Sequence, residues 1–559
     1  MPSLLSNSRW RTRIEIALVF AVFCLLGAWP VPDVNESHYL GRAIHYWNPD
    51  WAHGDFFLDS ADTHKVFYFS FGWLSLLLGP AALAWTGRLL AWLLLAWSWR
   101  RLSIAIVPRP WYSVLTAALF VCLTERCHMA GEWVVGGVEA KDFAYVFVFL
   151  GLEAIVRNRW NRGLLLFGAA AAFHVVVGGW AVVAAGIAWL RLCCRGRPNC
   201  DTPPLRLLWP GLVGGLLLAL PGLWPSLALD WGVDAQIARQ AHEIYVFERL
   251  PHHLVLAGMH RDFIARFALL CLLWLLLGPW EKRARLPETQ QAGISRLRAF
   301  VSGAVAITLA GAAINLLIYF GERGLAADLL RYYWFRLTDV VVPLGISLEG
   351  VALAVRLAAS GADAGSVDDT ANALRSQSGG KPERSRWRRT LGLFRYRWLA
   401  LVLLLSGYHL VDRVLDYINS QQPRSHKIDG MENFDDWRDI CEWVATSGKI
   451  PPGARFLTPR MAQTFKWYTG HSEVATWKDI PQDATELVRW WARLQDIYAT
   501  GLPPPQPRWR LTLTELSAER LRQLGAKYGA DYLIDERSDS PPELPLTFGN
   551  ERYGIYSLR

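Results

Sequence analysis

The stretch IEIALVFAVFCLLGAW (residues 14–29), followed directly by PVPDVNESHY (residues 30–39), decides the architecture. The first part is almost wholly apolar and predicts a membrane-spanning helix. Arg9, Arg11 and Arg13 precede it and, by the positive-inside rule, predict a cytoplasmic N-terminus. The second part turns abruptly polar and acidic, so it is predicted to begin an outer loop.

The composition is that of a polytopic membrane protein. Of the 559 residues, 52% are hydrophobic and only 19% are charged, whereas about 25% is usual for soluble domains. The net charge of +9 comes largely from Lys and Arg in short loops on one side of the predicted spans. This distribution excludes a nucleic-acid-binding role. The eight cysteines show neither metal-ligand spacing nor a disulfide framework.

Alternation of apolar runs and basic loops predicts about eleven transmembrane helices in a module over residues 1–417. The expected location is a bacterial inner membrane, with the C-terminus outside. Residues 66–79 are too short for a span and predict an interfacial or re-entrant helix. The predicted outer loops are residues 31–65, 125–142, 230–262 and 321–339. Residues 358–389, rich in Ser, Gly, Asp, Lys and Arg, predict a flexible cytoplasmic linker.

Residues 418–559 are soluble in character and predict a small α/β domain on the outer face. Amphipathic stretches alternate there with short β-branched and aromatic runs. The predicted helices are residues 434–446, 483–497 and 518–528, and the predicted strands are residues 455–457, 530–534 and 553–558.

Three carboxylates in the first two outer loops are the candidate catalytic groups. Asp33 and Glu36 follow the first span, and Glu139 precedes the fourth. A loop carboxylate at the membrane surface can act as a general base or, as Glu36 and Glu139 would, hold a divalent cation. The alternative is a helix cap or a solvated loop acid, and it is favoured for Asp33.

The order of these features resembles the GT-C superfamily of membrane glycosyltransferases. These enzymes take sugars from polyprenyl-phosphate carriers, and their first outer loop typically holds an Asp-Glu pair followed by a Tyr. The matching residues here are Asn35, Glu36 and Tyr39. The resemblance implies a catalytic acid in this loop, and because Asn35 replaces the usual Asp, Glu36 or Asp33 would serve. It also implies a second acid at Glu139.

A second resemblance is to uncharacterised bacterial multi-span proteins whose C-terminal domain has no known function. It is carried by FLTP (residues 456–459) and WKD (residues 477–479) and implies no chemistry.

Cationic residues in the third and fourth outer loops are candidate ligands for a substrate phosphate. Arg331 and Arg336 flank the aromatic run YYWF, and Arg249 precedes His252 and His253. Arg presents a planar fork that suits phosphate. Adjacent His residues cannot easily chelate one metal ion. The alternatives are an aromatic belt with snorkelling Arg for the first pair and an interfacial polar loop for the second group.

The leading interpretation is therefore an inverting glycosyl transfer on the outer face. The partners would be a lipid-linked sugar donor, the lipid bilayer and an acceptor whose identity the sequence leaves open. No cofactor is specified, although a divalent cation at Glu36 or Glu139 stays open. The alternative is a non-catalytic membrane protein that binds or translocates a lipid-linked glycan. A transporter ranks third, because most ionisable residues lie at span ends and no internal repeat is visible.

Overall fold

The structure is a computed structural model that describes residues 8–194, 202–283, 287–376, 386–419, 422–425, 433–538 and 541–559. Within residues 8–419 it is a helical bundle with short helices in the connections. The helices are α1 (Ser8–Gly27), α2 (Glu36–Trp47), α3 (Phe56–Asp59), α4 (Lys65–Phe71), α5 (Pro80–Ile106), α6 (Tyr112–Cys127), α7 (Ala140–Val156), α8 (Trp160–Phe173), α9 (Val175–Cys194), α10 (Trp209–Ala228), α11 (Ala235–Glu243), α12 (Pro251–Leu254), α13 (Arg261–Arg283), α14 (Glu288–Tyr319), α15 (Arg323–Leu330), α16 (Arg336–Ser376) and α17 (Arg386–Asn419).

Six helices among the described residues are long and apolar enough to cross a membrane. They are α5, α9, α10, α13, α14 and the first part of α16, Arg336–Arg356. By length and composition they mark an integral membrane protein. The predicted count of eleven spans is not confirmed. Helices α6, α7 and α8 account for part of the difference between eleven and six. They have only 16, 17 and 14 residues and are too short to count as membrane-spanning.

The loops predicted to lie on one side of the membrane meet at one end of the bundle. Arg331 of the fourth outer loop contacts Asp230 of the third at 2.6 Å. Near the opposite end of α5, Gln290 donates to the carbonyl of Ile106 at 2.8 Å, which joins two predicted inner loops. The arrangement agrees with the predicted alternation, and the side that each end faces stays a prediction.

The predicted first outer loop and the predicted linker both contain helices. The first outer loop contains α2. The segment 66–79, predicted as an interfacial or re-entrant helix, consists of most of α4 and a 3-10 turn, Gly72–Leu76. The predicted linker 358–389 is helical at both ends, because α16 continues to Ser376 and α17 begins at Arg386. Its centre, residues 377–385, lies outside the described residues.

The C-terminal domain, described over residues 433–538 and 541–559, combines helices with a mixed sheet. Its elements are α18 (Phe434–Thr446), β1 (Arg455–Leu457), α19 (Phe465–Thr469), β2 (Ser472–Glu473), α20 (Ala484–Tyr498), α21 (Ala518–Tyr528), β3 (Tyr532–Glu536), β4 (Leu546–Gly549) and β5 (Tyr553–Ser557). The strand order is β2-β1-β3-β5-β4, with parallel pairs at β2-β1-β3 and antiparallel pairs at β3-β5-β4. The predicted bounds of α18, α21 and β1 are confirmed. The other predicted elements are present with ends shifted by at most two residues.

A buried ionic cluster joins this domain to the first outer loop. The Lys466 ammonium lies 2.6 Å from Asp479, 3.0 Å from Glu473 and 3.2 Å from Asp55, which belongs to the outer loop. Burial alone would lower the pKa of Lys466, but the three carboxylates raise it well above its usual value. The domain therefore packs on the loop through a charged contact as well as an apolar one.

Lys466→Met is expected to destabilise the chain strongly, because it leaves three buried carboxylates without their cation. Removing one member of a buried ion pair typically costs about 3–5 kcal/mol. The measurement is thermal unfolding of the purified full chain in detergent. Lys527→Met is the matched control, because the Lys527 side chain is 58% exposed. Equal melting temperatures for the two variants would contradict the structural role of the cluster.

Candidate functional site

A cavity of about 460 Å³ lies at the end of the bundle where the outer loops meet. Small-molecule sites typically measure about 300–1,000 Å³. The polar residues that line it are Tyr39, Thr63, His64, His174, Ser226, Asp230, His242, Tyr245, Arg331, Tyr332, Tyr333, Arg336 and Gln482. They come from several outer loops and from the C-terminal domain, so chain segments that are distant in sequence build one site.

Another part of the cavity wall is apolar and belongs to membrane helices. It includes Val175 and Val176 at the start of α9 and Leu223 and Leu227 near the end of α10. Helix α10 is also strongly exposed along its length; Leu217, for example, is 61% exposed. Such a wall can accept a lipid chain arriving from the bilayer, while the polar wall accepts its head group.

Arg331, Asp230 and His242 form one charged group on the polar wall. The Arg331 guanidinium donates to Asp230 at 2.6 Å and contacts Nε2 of His242 at 2.5 Å. Because a guanidinium only donates, Nε2 is the acceptor and the imidazole proton sits on Nδ1. Nδ1 in turn donates to the carboxylate of Asp328 at 2.7 Å. The Asp328 carboxylate thus orients an imidazole whose basic nitrogen lies at the cavity wall.

The second cation of the wall, Arg336, is held from three sides. Its Nε lies 2.9 Å from the Glu132 carboxylate, its Nη1 donates to Nε2 of His174 at 3.1 Å, and it stacks on the Tyr333 ring at 3.9 Å. Tyr333 has a positive φ of 54°, which is rare for a bulky residue and marks local strain beside the cavity. Across the described residues, nothing hydrogen-bonds to Nη2 of Arg336, so this nitrogen can still serve a ligand.

The charge states of the wall follow from these contacts. The neighbouring His242 and Arg331 lower the pKa of Asp230 to about 2, although burial opposes the shift. Burial lowers the pKa of Arg331, but the bond to Asp230 outweighs it, and the net shift is upward. Burial and the Arg336 charge hold the pKa of His174 well below its usual value. At neutral pH the lining therefore holds two guanidinium groups and one carboxylate.

Glu36 does not line the cavity. It is fully buried, and its carboxylate forms a two-pronged ion pair with the buried Arg88 at 2.6 and 2.7 Å. The same two oxygens accept the backbone N–H groups of Asp33 and Val138. From the motif that carries the family resemblance, Tyr39 reaches the cavity instead. The catalytic role of Glu36 stays a prediction, and its geometry is that of a structural ion pair.

The other two predicted acids lie next to Glu36 and are likewise engaged. Asp33 pairs with Arg424 at 2.6 and 2.8 Å; burial raises the pKa of Asp33, but the Arg424 charge outweighs it and the net shift is downward. Glu139 accepts from the Asn35 amide at 2.7 Å and lies 3.3 Å from Lys141. Burial leaves the pKa of Glu139 raised. The structure thus brings the three acids together, but outside the cavity lining.

The predicted divalent-cation site does not fit these residues. Over the part of the chain that the structure describes, no group of three or more His, Cys, Asp or Glu side chains is arranged to hold a metal ion. The oxygens of Glu36 face Arg88, and those of Glu139 face Asn35 and Lys141. A cation at either carboxylate would have to displace a bound ammonium, amide or guanidinium group.

The predicted phosphate ligands divide into two groups. Arg331 and Arg336 line the cavity, whereas Arg249, His252 and His253 do not. Nδ1 of His253 contacts the carbonyl of Ala130 at 2.5 Å, and the tilted rings of His252 and His253 have centroids 4.1 Å apart. These contacts tie the histidines to the second outer loop, whereas Arg249 donates to the carbonyl of Trp477 in the C-terminal domain.

Asp230, His242 and Asp328 are not among the candidate residues predicted from the sequence. A signal for His242 was present: Asp234 caps the amphipathic stretch AQIARQAHE, and this pattern predicts a helix, α11, that ends beside His242. Asp230 follows the apolar helix α10 directly, as an acid at the membrane boundary. No local pattern indicates that Arg331 would join them from 89 residues away.

Comparisons with known proteins match part of the C-terminal domain to a family of unknown function. A family model described as a domain of unknown function (DUF6798) matches residues 435–497. No curated protein matches the chain. One similar solved structure is the archaeal oligosaccharyltransferase AglB from Archaeoglobus fulgidus, in complex with an inhibitory peptide and a dolichol-phosphate. The similarity covers 95% of this chain and 70% of that chain, with 11% identity and a TM-score of 0.42.

A likeness at this identity and TM-score carries no argument about chemistry.

Proposed function

We propose that this chain is a membrane glycosyltransferase that moves a sugar from a polyprenyl-phosphate carrier to an acceptor on the outer face. The observation that supports the proposal is the mixed lining of the cavity. Its polar residues include Arg331 and Arg336, and its apolar residues include Leu223 and Leu227 of α10. A lipid-linked sugar phosphate has the same division between chain and head group.

In the proposed complex the carrier phosphate binds between the two guanidinium groups. Arg336 donates to the phosphate through Nη2. Arg331 redirects part of its guanidinium group from Asp230 to the phosphate. Charge-assisted bonds of this kind are the strong ones in protein sites. The isoprenoid chain lies along α9 and α10, so the sugar points towards the outer loops and the C-terminal domain.

The proposed chemistry is a single displacement at the anomeric carbon. As Arg331 turns to the phosphate, Nε2 of His242 is released and takes the proton of the acceptor hydroxyl. The acceptor oxygen forms a bond to the anomeric carbon, and the bond from that carbon to the phosphate oxygen breaks. The carrier phosphate leaves with its electrons, stabilised by Arg331 and Arg336. One displacement inverts the anomeric configuration.

We place the base at His242 because its basic nitrogen lies at the cavity wall. Glu36, Asp33 and Glu139 rank after His242 as candidate bases. Each is buried against a charged or amide partner and lies outside the cavity lining. No step is assigned to a divalent cation, because the candidate donor groups do not fit one.

Arg331→Gln is expected to raise the KM for the donor by roughly 10-fold to 150-fold. The reason is the loss of one charge-assisted hydrogen bond to the donor phosphate, which is worth about 1.5–3 kcal/mol. The measurement is transfer by the purified chain with a panel of polyprenyl-phosphate sugars. Arg489→Gln is the control, because this side chain is 64% exposed and pairs with Glu486 away from the cavity lining. An unchanged KM for Arg331→Gln would contradict the donor site.

The same assay decides between the enzyme and the alternative function. If the chain binds a donor in an Arg331-dependent manner but transfers no sugar to any acceptor tested, the non-catalytic role of binding or translocating a lipid-linked glycan replaces the enzyme.

A further inference from the structure

Among the described residues, Arg249 is a buried cation without a carboxylate partner. Arg249 is only 7% exposed. Its one described hydrogen bond is donated by Nε to the carbonyl of Trp477 at 2.9 Å. Counting the described residues alone, no carboxylate lies within 4 Å of it. The nearby Asp479 is already engaged by Lys466 and His38. An unpaired buried guanidinium is costly, so its retention points to an anion that binds there.

A second guanidinium without a carboxylate partner stands on the same Trp ring. Arg460 lies 5.2 Å from the centroid of Trp477 and 5.3 Å from that of Trp509, and its buried Nε has no hydrogen-bond partner. Arg249 lies 5.4 Å from the Trp477 centroid. Within the described part of the chain, Arg460 likewise has no carboxylate within 4 Å. Two cations for which the described residues supply no counter-ion therefore lie near one aromatic ring, 5.4 and 5.2 Å from its centroid.

The surface around these residues is aromatic and only partly buried. Trp477, Trp491 and Trp509 contact one another, with ring centroids 5.7–6.2 Å apart. Flat apolar rings of this kind pack against the C–H faces of ligands and leave polar edges free for hydrogen bonds. We call the set of Arg249, Arg460, Trp477, Trp491 and Trp509 the Arg-Trp surface.

The Arg-Trp surface begins where the cavity ends. On α20, Ala484 and Leu487 line the cavity. Trp491 lies four residues beyond Leu487 and so on the same side of the helix. On the other side, Arg249 ends the π-helical turn Ile244–Arg249, whose Tyr245 also lines the cavity. A molecule on this surface can therefore extend a reactive end into the cavity.

We propose that the Arg-Trp surface binds the acceptor, and that the acceptor is an acidic carbohydrate. Guanidinium groups of Arg249 and Arg460 would hold its carboxylate or phosphate, and the Trp rings would pack against its sugar faces. This inference rests on the proposed function only in calling the bound carbohydrate an acceptor. Binding of the carbohydrate at this surface requires neither the donor nor turnover.

The test is isothermal titration of the full chain in phosphatidylcholine nanodiscs, without donor, using hexagalacturonate as the acidic probe and maltohexaose as the neutral one. Hexagalacturonate is expected to bind at least about tenfold more tightly than maltohexaose. Competition by inorganic phosphate identifies a phosphate-bearing sugar as the natural ligand class, whereas its failure to compete favours a carboxylate.

Arg460→Gln is expected to weaken hexagalacturonate binding by about tenfold or more, and Arg460→Lys should retain a large part of it. Arg508→Gln is the matched control, since Arg508 lies on the same Trp cluster but is paired with Glu248 at 2.7 Å. The half-buried Arg460 is used because Arg249 variants risk misfolding. Equal binding of both probes, no binding of either, or wild-type binding by Arg460→Gln would overturn the proposal.

Failure of this proposal and failure of the proposed function are distinguishable. Arg331→Gln should leave hexagalacturonate binding unchanged while it impairs transfer. Loss of hexagalacturonate binding in Arg331→Gln would place the acidic probe in the cavity and overturn the separate acceptor surface.

Discussion

His242→Gln is expected to lower the rate of sugar transfer by about 10²–10⁴, the usual loss when a general base is removed. Glutamine keeps a polar group of similar reach but cannot take a proton from the acceptor hydroxyl. The KM for the donor should change little, because Arg331 and Arg336 still bind the phosphate. Single-turnover transfer with a saturating donor measures the chemical step without product release.

Two further variants separate this role from a structural one. Asp328→Asn keeps a hydrogen-bond acceptor for Nδ1 but weakens the orientation of the imidazole, so a smaller loss of about tenfold is expected if His242 is the base. His260→Gln is the control, because this histidine lies in the same outer segment with its side chain 68% exposed. Transfer at nearly the wild-type rate by His242→Gln would return the role of base to Glu36, Asp33 or Glu139.

The membrane helices and the C-terminal elements could be predicted because their signals are local. Apolar runs flanked by Arg predict spans regardless of what surrounds them. The amphipathic pattern of residues 434–446 and 518–528 yields the observed ends of α18 and α21. Arg331 and Arg336 could be selected for a related reason: cations beside an aromatic run at a membrane boundary favour a head-group site.

The roles of the outer acids could not be predicted, because they depend on partners that are distant in sequence. Glu36 looks like a loop acid until Arg88 is placed beside it, and Arg88 lies within an apolar helix, α5. An ionisable residue in such a helix requires a counter-ion, but the sequence offers several carboxylates and no means of choosing. The same holds for Asp33 with Arg424 and for His242 with Arg331.

Glu36→Gln is therefore expected to destabilise the fold, whereas a catalytic role for Glu36 predicts lost activity with folding intact. Both members of the Glu36–Arg88 pair are fully buried, and Arg88 also donates to the carbonyl of Trp29 at the end of the first apolar run. Glutamine removes the charge and leaves Arg88 as an uncompensated buried cation. Breaking such a pair typically costs about 3–5 kcal/mol, a large share of the stability of a domain.

The decisive comparison uses one double and two single variants, measured by thermal unfolding of the full chain in detergent. Glu36→Gln and Arg88→Met should each lower the melting temperature markedly, whereas Glu36→Leu with Arg88→Met should recover much of the loss, because an apolar pair leaves no buried charge. Glu519→Gln, at an exposed site on α21, is the matched control. A Glu36→Gln protein that unfolds like the wild type yet transfers no sugar would show instead that Glu36 acts in the chemistry. Because the pair ties the first outer loop to α5 beside Gly137 and Val138, its loss should also loosen the two loops that the acids hold together.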